Sequence, residues 1–396
     1  MPAMIRTAFG LPDRQLWTGG YQYFVNLFHV LGRYGRARIR PVVFVAEDYS
    51  EEALEPLKSG VVEVVRTRGS VPGRNPLQVG GTLVTGIDRA ALSAYREHGI
   101  DAVFESAAWH GWRFPLPVIA WLPDFQHRRL PGMFTRRGWL QREFGFRAQI
   151  RSASAVMLSS ESARGDCEML YPASAGRTSV IPFAVEPGEE AYRVSETDIR
   201  TRYELTMPYF YLPNQFWCHK NHSVIIEALR VLRDRNVSAM VVASGASVDP
   251  RHPRLFENLV EQVRDLGLDA VFRFLRFVPR ADVYALMRGA VAVVNPSLFE
   301  GWSTTVEEAK AIGVPLVLSG IPVHREQAGG AAHYFDPLSS QDAASALARA
   351  LDDIGKSAGV PSRAEIQAAN ADRLARYARH FEDLVGQVVV GAPRSR

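Results

Sequence analysis

Two glutamates lie eight positions apart in the segment NPSLFEGWSTTVEEAKAIGVP (295–315), where a strand pattern gives way to a helix pattern. Glu300 follows an apolar run at 290–294, and Glu308 lies early in the predicted helix. Carboxylates accept hydrogen bonds from hydroxyl groups, and the unpaired amides of a helix N-terminus bind anions. The spacing therefore predicts a site for a ligand that carries both hydroxyl groups and phosphate.

Part of this pattern is also typical of a helix cap. Thr304 with Glu307, and Thr305 with Glu308, both have the spacing of a capping box, in which the glutamate binds the backbone. Glu300 lies before the turn, where a cap does not account for it. Both interpretations of Glu308 stay open at this point.

A lysine lies at the start of another predicted helix. The segment YLPNQFWCHKNH (211–222) follows a predicted strand and opens a helix that runs to about residue 235. A lysine in the first turn opposes the helix dipole unless an anion lies between them. Lys220 is one of only four lysines in the chain, and we expect it to bind an anion; a solvated surface lysine is the alternative.

The composition limits the class of protein. With 396 residues, 47% hydrophobic and 22% charged, the chain is globular and long enough for two domains. A net charge of +4 and a pI of about 9.1 favour an anionic small molecule or a membrane surface over a nucleic acid. Two cysteines make no disulfide framework. The sequence has no signal-peptide pattern and no apolar run of about 18 residues, so a cytoplasmic protein is expected.

Short β-branched runs alternate with helix patterns throughout the chain. Predicted strands lie at 40–46, 62–67, 101–106, 117–123, 155–160 and 178–183, and then at 209–213, 238–245, 270–277, 290–297, 315–320 and 332–337. This alternation predicts parallel sheets built from βαβ units. We expect two doubly wound α/β domains that face each other across a cleft, with a polar linker at 184–208 and ligands at the carboxyl ends of the strands.

The segment PSLFEGWSTTVEEAKAIGVPLVLSGIPVHRE (296–326) resembles the retaining GT-B glycosyltransferases of family 4, also called glycosyl transferases group 1. The resemblance extends over most of residues 205–340. It implies a GT-B fold of two Rossmann-like domains, with an acceptor-binding domain at 1–190 and a nucleotide-sugar-binding domain at 191–361. It also implies that the last segment, 362–396, is a helix that packs back on the N-terminal domain.

In this family the first glutamate contacts the hydroxyls of the donor sugar and the second holds the ribose diol, which implies these roles for Glu300 and Glu308. The turn between them supplies backbone N–H groups to the sugar and the pyrophosphate. Donor contacts are therefore implied for Gly301, Trp302, Ser303, Thr304 and Thr305. Many relatives have Phe-Gly where this chain has Trp302-Ser303, so the resemblance does not define the shape of the sugar pocket.

The resemblance also implies cations for the diphosphate. Many relatives place an arginine and, a few residues later, a lysine on this group. Lys220 matches the lysine, whereas Asn214 or Gln215 occupies the arginine position. The candidates to replace the missing cation are Arg276, His219 and His222.

Other segments match donor-facing parts of the family. They are the glycine turn at Ser244-Gly245, the base-contacting backbone at Phe277 and Val278, and the glycine loop at Gly19 and Gly20. Taken alone, a Gly-Gly pair is most often only a turn. The predicted strand at 117–123 breaks at Pro123 and is followed by Asp124 and His127, either of which matches a histidine close to the donor sugar; His127 as a structural loop residue is the alternative.

Residues 127–151 contain seven arginines against one glutamate, interleaved with aromatic residues. This pattern is typical of contact with an anionic membrane that carries a lipid-linked acceptor, here the inner face of the plasma membrane. A solvated basic face is the alternative. Nucleic acid is not expected, because no recognised binding module accompanies the patch.

The expected chemistry follows from these residues and the resemblance. No Asp-x-Asp follows an apolar strand and no His/Cys cluster has ligand spacing, so we expect neither a metal nor another cofactor. The resemblance implies retaining transfer of a hexose from a nucleotide diphosphate sugar to a glycan, a lipid-linked or another glycoconjugate acceptor. GDP-mannose is the first expectation for the donor, with UDP- and dTDP-sugars as alternatives. The expected catalytic residues are Glu300, Lys220 and His127 or Asp124. The rival functions are a nucleotide-sugar epimerase or hydrolase of the same fold, and a non-catalytic nucleotide-binding protein.

Overall fold

The computed structural model describes residues 4–12, 14, 17–57, 62–67, 76–106, 108–354 and 362–391, with the backbone alone at 76–79. The strands are β1 Ile5–Gly10, β2 Ile39–Ala46, β3 Glu63–Thr67, β4 Ala102–Glu105, β5 Val118–Trp121, β6 Ala155–Leu158, β7 Thr178–Val180, β8 Tyr209–Leu212, β9 Met240–Ser244, β10 Phe272–Arg276, β11 Val293–Asn295, β12 Leu316–Ser319 and β13 Ala332–Phe335. The α-helices are α1 Thr18–Tyr34, α2 Glu51–Leu54, α3 Pro76–Thr85, α4 Arg89–Glu97, α5 Gln126–Arg129, α6 Arg136–Ser152, α7 Glu161–Leu170, α8 Glu196–Arg202, α9 His222–Asp234, α10 Leu255–Asp265, α11 Arg280–Arg288, α12 Thr304–Ile312, α13 Pro322–Ala328, α14 Ser340–Asp352 and α15 Arg363–Gly391.

These elements form two compact units. The first consists of Met1–His127, Arg136–Phe183 and Asp372–Arg396, and the second of Arg128–Thr135 and Ala184–Ala371. Each contains one parallel sheet with helices packed on it, as the alternation of strand and helix patterns predicts.

The sheet of the first unit has seven strands in the order β3-β2-β1-β4-β5-β6-β7. The central strand β1, with the sequence IRTAFG, was not predicted from the sequence. Its polar Arg6 and Thr7 and its final Gly10 interrupt the apolar run that identifies the other strands. Pairing with β2 on one side and β4 on the other decides its conformation.

The sheet of the second unit has six strands in the order β10-β9-β8-β11-β12-β13, and all six were predicted. Alternate residues of β8 enter two different hydrophobic clusters: Phe210 and Leu212 join one, and Tyr209 and Tyr211 join the other. The sheet is therefore covered on both faces, which explains its nearly continuous apolar strands. The strand order reverses between β8 and β11, and such a switch point is where open α/β sheets bind ligands.

The linker predicted at 184–208 is wrong. This segment contains α8 and belongs to the second unit, where Ile199 is fully buried. Asp282 on α11 accepts hydrogen bonds from Arg202 at 2.6 Å and from Tyr203 at 2.7 Å. Polar residues in this stretch therefore fix a helix to α11, and the main segment of the second unit begins at Ala184.

The long helix α15 contributes to both units in turn. Residues up to Ala371 belong to the second unit, and those from Asp372 onward belong to the first. Within the first unit, the Phe381 ring stacks on Phe9 at 6.2 Å between centroids, and Arg36 donates to Glu382 at 3.0 Å. In the described part of the chain, no helix has the length and hydropathy needed to span a bilayer.

Candidate active site

The site in the second unit lies at the switch point between β8 and β11. Asn214 follows β8, and its side chain donates to the Asn295 Oδ1 atom at the end of β11 at 3.2 Å. Asn295 in turn donates to the Ser303 hydroxyl at 2.8 Å, and the Thr305 hydroxyl donates to Asn214 at 3.3 Å. A buried polar network thus joins both strand ends to the turn that precedes α12.

Ser303 is the N-cap of α12, since its hydroxyl accepts a hydrogen bond from the Val306 amide at 3.4 Å. Gln327 fixes the same residue from α13: it accepts from the Ser303 amide at 3.2 Å and donates to the Ser303 carbonyl at 2.7 Å. The amides of Thr304 and Thr305 have no acceptor among the residues that the structure describes. The start of α12 therefore presents two free N–H donors in a rigid frame.

Neither of the capping boxes that the sequence allows is formed. Glu307 is buried and accepts from Gln327 at 2.9 Å and from Lys310 at 3.1 Å. Glu308 accepts from Tyr284 on α11 instead of from the backbone. Because Ser303 already caps the helix, Glu308 is available for another role.

Lys220 and Glu300 form an ion pair, with 2.6 Å between the Lys220 Nζ and Glu300 Oε1 atoms. The two side chains are only 15% and 10% exposed, and the Ser297 hydroxyl donates to the same Oε1 at 2.7 Å. Burial by itself would raise the pKa of Glu300, but the charge on Lys220, with smaller effects from His324 and His219, lowers it to about 2. Glu300 is therefore a carboxylate at every physiological pH.

Glu308 has a similar arrangement with different partners. Its Oε1 atom accepts from the Tyr284 hydroxyl at 3.3 Å and lies 3.6 Å from Arg280. Burial raises the pKa of Glu308, while Arg280 and Tyr284 oppose that rise. Among the described residues, no donor contacts the Oε2 atom of either glutamate. Each acid thus binds the protein through one oxygen and leaves the other for a ligand.

Two of the three candidates for the missing cation, His219 and His222, carry no charge. Burial, with a contribution from Lys220, lowers the pKa of His219 and of His222 to about 3, so both are neutral. Arg276 lies over the Phe256 ring at 5.2 Å. Of the two residues at the arginine position, Asn214 is buried in the polar network, and Gln215 is partly exposed.

The other predicted donor residues of this unit lie at neighbouring strand ends. Gly245 follows β9 with a φ of +152°, and a Cβ atom there would lie 2.4 Å from the Asn214 carbonyl oxygen. Only glycine permits this close approach. The Phe277 side chain is 83% exposed, whereas Val278 is buried in the core, so Val278 offers a ligand only its backbone.

Gly19 and Gly20, which were predicted to form a loop before the first helix, lie in the first turn of α1 instead. A Cβ atom on Gly20 would lie 2.4 Å from the Trp17 ring, so the glycine allows this ring to lie against the helix. Trp17 in turn stacks on Trp121 with 5.6 Å between ring centroids. The packing of an aromatic ring accounts for Gly20, while Gly19 is exposed.

The structure separates the roles of Asp124 and His127. His127 is fully buried, its Nε2 atom lies 3.2 Å from Glu143, and Tyr171 donates to the same carboxylate at 2.7 Å. Burial lowers the pKa of His127. Asp124 is partly exposed and accepts from the Gln126 amide at 2.9 Å. His127 therefore has the surroundings of a structural residue, and of the two only Asp124 is accessible.

Several side chains that the sequence analysis did not single out complete the site. The signal for two of them was present, because Asn-Pro-Ser directly follows the strand pattern at 290–294. The others lie on helices distant in sequence from the glutamates that they contact, which no local pattern reveals. They are Asn295, Ser297, Arg280, Tyr284 and Gln327.

Comparison with known proteins finds sequence relatives of the second unit. Residues 200–371 match the family model of glycosyl transferases group 1. A D-inositol 3-phosphate glycosyltransferase of Corynebacterium aurimucosum is 32% identical over 140 residues, which is 34% of this chain and 32% of that protein. A mannosylfructose-phosphate synthase of Agrobacterium fabrum is 27% identical over 31% of this chain and 28% of its own. The matches thus span about a third of the length of these curated relatives.

Solved structures share the fold over the whole chain. Anabaena HepE in complex with UDP superposes with a TM-score of 0.69 at 17% identity, covering 97% of this chain and 100% of that one. A sucrose-phosphate synthase from Thermosynechococcus elongatus gives 0.68 at 16% identity, covering 98% and 99%. The chain has the GT-B fold of these enzymes.

Proposed function

We propose that this chain, whose second unit matches glycosyl transferases group 1, is a retaining glycosyltransferase that uses a nucleotide diphosphate sugar. The observation that carries the proposal is the pair of largely buried glutamates, each with one oxygen held by the protein and the other without a donor in the described chain. Two free amides and one ammonium lie on the segments that hold them. This set provides acceptors for hydroxyl groups and donors for a diphosphate.

In this proposal each group has a separate role. Glu300 accepts hydrogen bonds from the sugar hydroxyls, and Glu308 accepts them from the ribose diol. Lys220 and the amides of Thr304 and Thr305 stabilise the charge that develops on the leaving diphosphate, because they are fixed before the reaction begins. The bond between the anomeric carbon and the diphosphate oxygen then breaks, and the acceptor oxygen bonds to that carbon on the same face. The leaving phosphate oxygen takes the proton of the acceptor hydroxyl as this glycosidic bond forms. In this account no protein nucleophile is needed, so Glu300 positions the sugar and forms no covalent bond to it.

We further propose that transfer needs no metal. In the described ranges no group of three or more His, Cys, Asp or Glu side chains is placed to hold one. Transfer that continues at an unchanged rate in EDTA is the expected result. A rate that falls in EDTA and recovers with added Mg²⁺ or Mn²⁺ would contradict this part of the proposal.

GDP-mannose remains our first expectation for the donor. UDP-sugars must be tested alongside GDP-mannose, because HepE was crystallised with UDP and with UDP-glucose. A thermal-shift screen of GDP, UDP and dTDP identifies the base, since a ligand that binds only the folded state raises the melting temperature. The matching nucleotide sugars are then incubated with glycan, sugar-phosphate and polyprenyl-phosphate acceptors.

Product analysis separates the proposal from its rivals. A glycosyltransferase releases the nucleoside diphosphate only when an acceptor is present and retains the anomeric configuration of the donor. Release of free sugar at the same rate without acceptor would indicate a hydrolase, and a changed sugar that is still attached to the nucleotide would indicate an epimerase. Binding without any turnover would indicate a non-catalytic protein.

For the acceptor side we propose contact with an anionic membrane at the cytoplasmic face through α6. The side chains of Phe144 and Leu140 are 67% and 40% exposed there, one turn apart and flanked by exposed Arg137. Apolar residues between arginines suit a surface of anionic lipid. Vesicles with about a third phosphatidylglycerol should sediment the parent chain but not Phe144→Ser. The control Met169→Ser, at a residue of α7 that is 58% exposed, should leave sedimentation unchanged. Equal sedimentation of all three would refute the contact.

A further inference from the structure

Arg280, the first residue of α11, has no role in the proposed reaction. Its guanidinium lies 2.9 Å from the Tyr284 hydroxyl oxygen and 3.6 Å from Glu308 Oε1. In the described chain these two side chains are the only ones that hydrogen bond or pair with it. Its side chain is 44% exposed, whereas the Glu308 side chain that it lies against is only 16% exposed.

The direction of the hydrogen bonds is fixed by chemistry. A guanidinium can only donate, so the Tyr284 oxygen accepts from Arg280, and the Tyr284 hydrogen is left to be donated to Glu308 at 3.3 Å. The result is a pair of consecutive hydrogen bonds that runs from Arg280 through Tyr284 to Glu308. Tyr284 is fully buried, which leaves its hydroxyl little freedom to choose another acceptor.

The charges around Glu308 also connect it to Arg280. Burial of Glu308 disfavours its carboxylate form, and the groups that act against burial are Arg280 and Tyr284 on α11. From β8, the buried Tyr211 also interacts with Glu308, but it is uncharged. Glu190 is a further carboxylate that acts on Arg280. Arg280 is therefore the one cation that these groups bring to Glu308.

We propose that Arg280 is a positioning residue for Glu308: through Tyr284 it fixes one carboxylate oxygen in place and keeps the group charged, so that the other oxygen meets the ribose diol. This inference rests on the proposed function, in which Glu308 holds the ribose. Arg280 itself touches neither the sugar nor the phosphates in this account.

The test measures the dissociation constant of the preferred nucleoside diphosphate and of its 2′,3′-dideoxy counterpart by calorimetry, between pH 5 and pH 8.5. The parent chain should bind the ribose form more tightly. Arg280→Gln should weaken that form about 10-fold at neutral pH and leave the dideoxy form unchanged. Its affinity for the ribose form should also begin to fall at a higher pH than in the parent, because Glu308 then protonates more easily. Arg280→Lys should restore part of the preference.

Three further variants exclude a merely structural effect. Tyr284→Phe keeps the buried ring and should reproduce the loss, while Arg264→Gln, at an exposed arginine of α10, should bind like the parent. Arg280→Gln combined with Glu308→Gln should be no weaker than Glu308→Gln alone. An equal loss for the ribose and dideoxy forms, or additive losses in the double variant, would mean that Arg280 contacts the phosphates directly and would overturn the inference. A parent chain that binds no nucleotide would overturn the proposed function as well, whereas a parent that binds both forms equally would overturn only the role of Glu308 and Arg280.

Discussion

At the scale of single residues, the site depends on charges that are removed from water. Lys220 and Glu300 are both nearly buried and lie 2.6 Å apart, so each charge offsets the desolvation cost of the other. A buried pair of this kind need not stabilise the fold, but the loss of one partner leaves the other unpaired. The same contact fixes the ammonium where the proposed diphosphate binds.

We expect Lys220→Met and Glu300→Gln each to lower transfer by at least about a thousandfold and to lower the free energy of unfolding by about 3 kcal/mol. The double variant should lose less stability than the sum of the single losses, because it leaves no unpaired charge. Initial rates and urea unfolding measure the two effects. Glu257→Gln, on the exposed face of α10, serves as the control, and strictly additive stability losses would contradict the pairing.

Glu105 is a buried acid of the first unit that has no role in the proposed reaction. Glu105 ends β4, is 2% exposed, and accepts from the His110 amide at 3.2 Å. Burial raises its pKa to about 7, against the opposing effect of His110. Since the folded pKa exceeds the unfolded one, the folded state prefers the protonated form. Its contribution to stability is thus complete below the ordinary carboxyl pKa and is lost as the pH rises through about 7.

Glu105→Gln should therefore flatten the pH dependence of stability. Between pH 5 and pH 8 the parent should lose about 3 kcal/mol more unfolding free energy than the variant, which cannot ionise at this position. Urea unfolding at both pH values measures the difference. Glu97→Gln on the exposed side of α4 should behave like the parent, and an identical pH dependence for Glu105→Gln would show that the acid is not buried in solution.

At the scale of elements, the ends of neighbouring strands must approach closely to form the site. The loop after β8 and the glycine after β9 are in backbone contact, and the network from Asn214 to Ser303 extends this contact to α12. The strands alone do not produce this arrangement, because parallel pairing brings their carboxyl ends to one edge without fixing the loops. The loop contacts therefore determine whether the turn and Lys220 act on the same ligand.

Gly245→Ala tests this arrangement. The left-handed φ and the 2.4 Å approach of the new Cβ atom to the Asn214 carbonyl should displace the loop. We expect a loss of about 2 kcal/mol in unfolding free energy together with weaker nucleotide binding. Gly330→Ala, where nothing lies within 4 Å of the added atom, should change neither quantity. If Gly245→Ala bound nucleotide as tightly as the parent, the position of this loop would not determine the ligand site.

At the scale of the whole molecule, the last helix belongs to two cores in succession. Its final part buries Phe381 against Phe9 and Phe104 in the first unit, although nearly 200 residues of the second unit intervene along the chain. The first unit therefore cannot complete its core until α15, which follows the second unit in sequence, has been made.

We expect Phe381→Ala to lower the stability of the first unit by about 3–5 kcal/mol. Hydrogen exchange should show faster exchange in β1 and β4 and unchanged protection in β8 and β11, because the two sheets belong to separate cores. Val390→Ala, which truncates an 86% exposed side chain of the same helix, is the control. An equal loss of protection in both sheets would indicate that the units unfold together.

The sequence alone determined much of this protein. Short β-branched and apolar runs between helix patterns identified twelve strands, because the strands of a sheet covered on both faces are mostly apolar. The Glu300–Glu308 spacing placed two acids around a helix start. The sequence failed where local composition competes with distant contacts. It missed β1, whose polar residues are tolerated because the strand pairs on both sides, and it took α8 for a linker because its residues bind α11 through polar side chains.

The partners of each residue were decided by the tertiary structure. His127 and Asp124 have similar positions in the sequence, yet packing of α6 and Tyr171 buries one and leaves the other accessible. Lys220 and Glu300, 80 positions apart, share a hydrogen bond that no spacing reveals. Arg280 and Tyr284 likewise become partners of Glu308 only when α11 packs beside α12. Spacing along the chain reports local geometry, whereas charge pairing and burial depend on which elements the fold brings together.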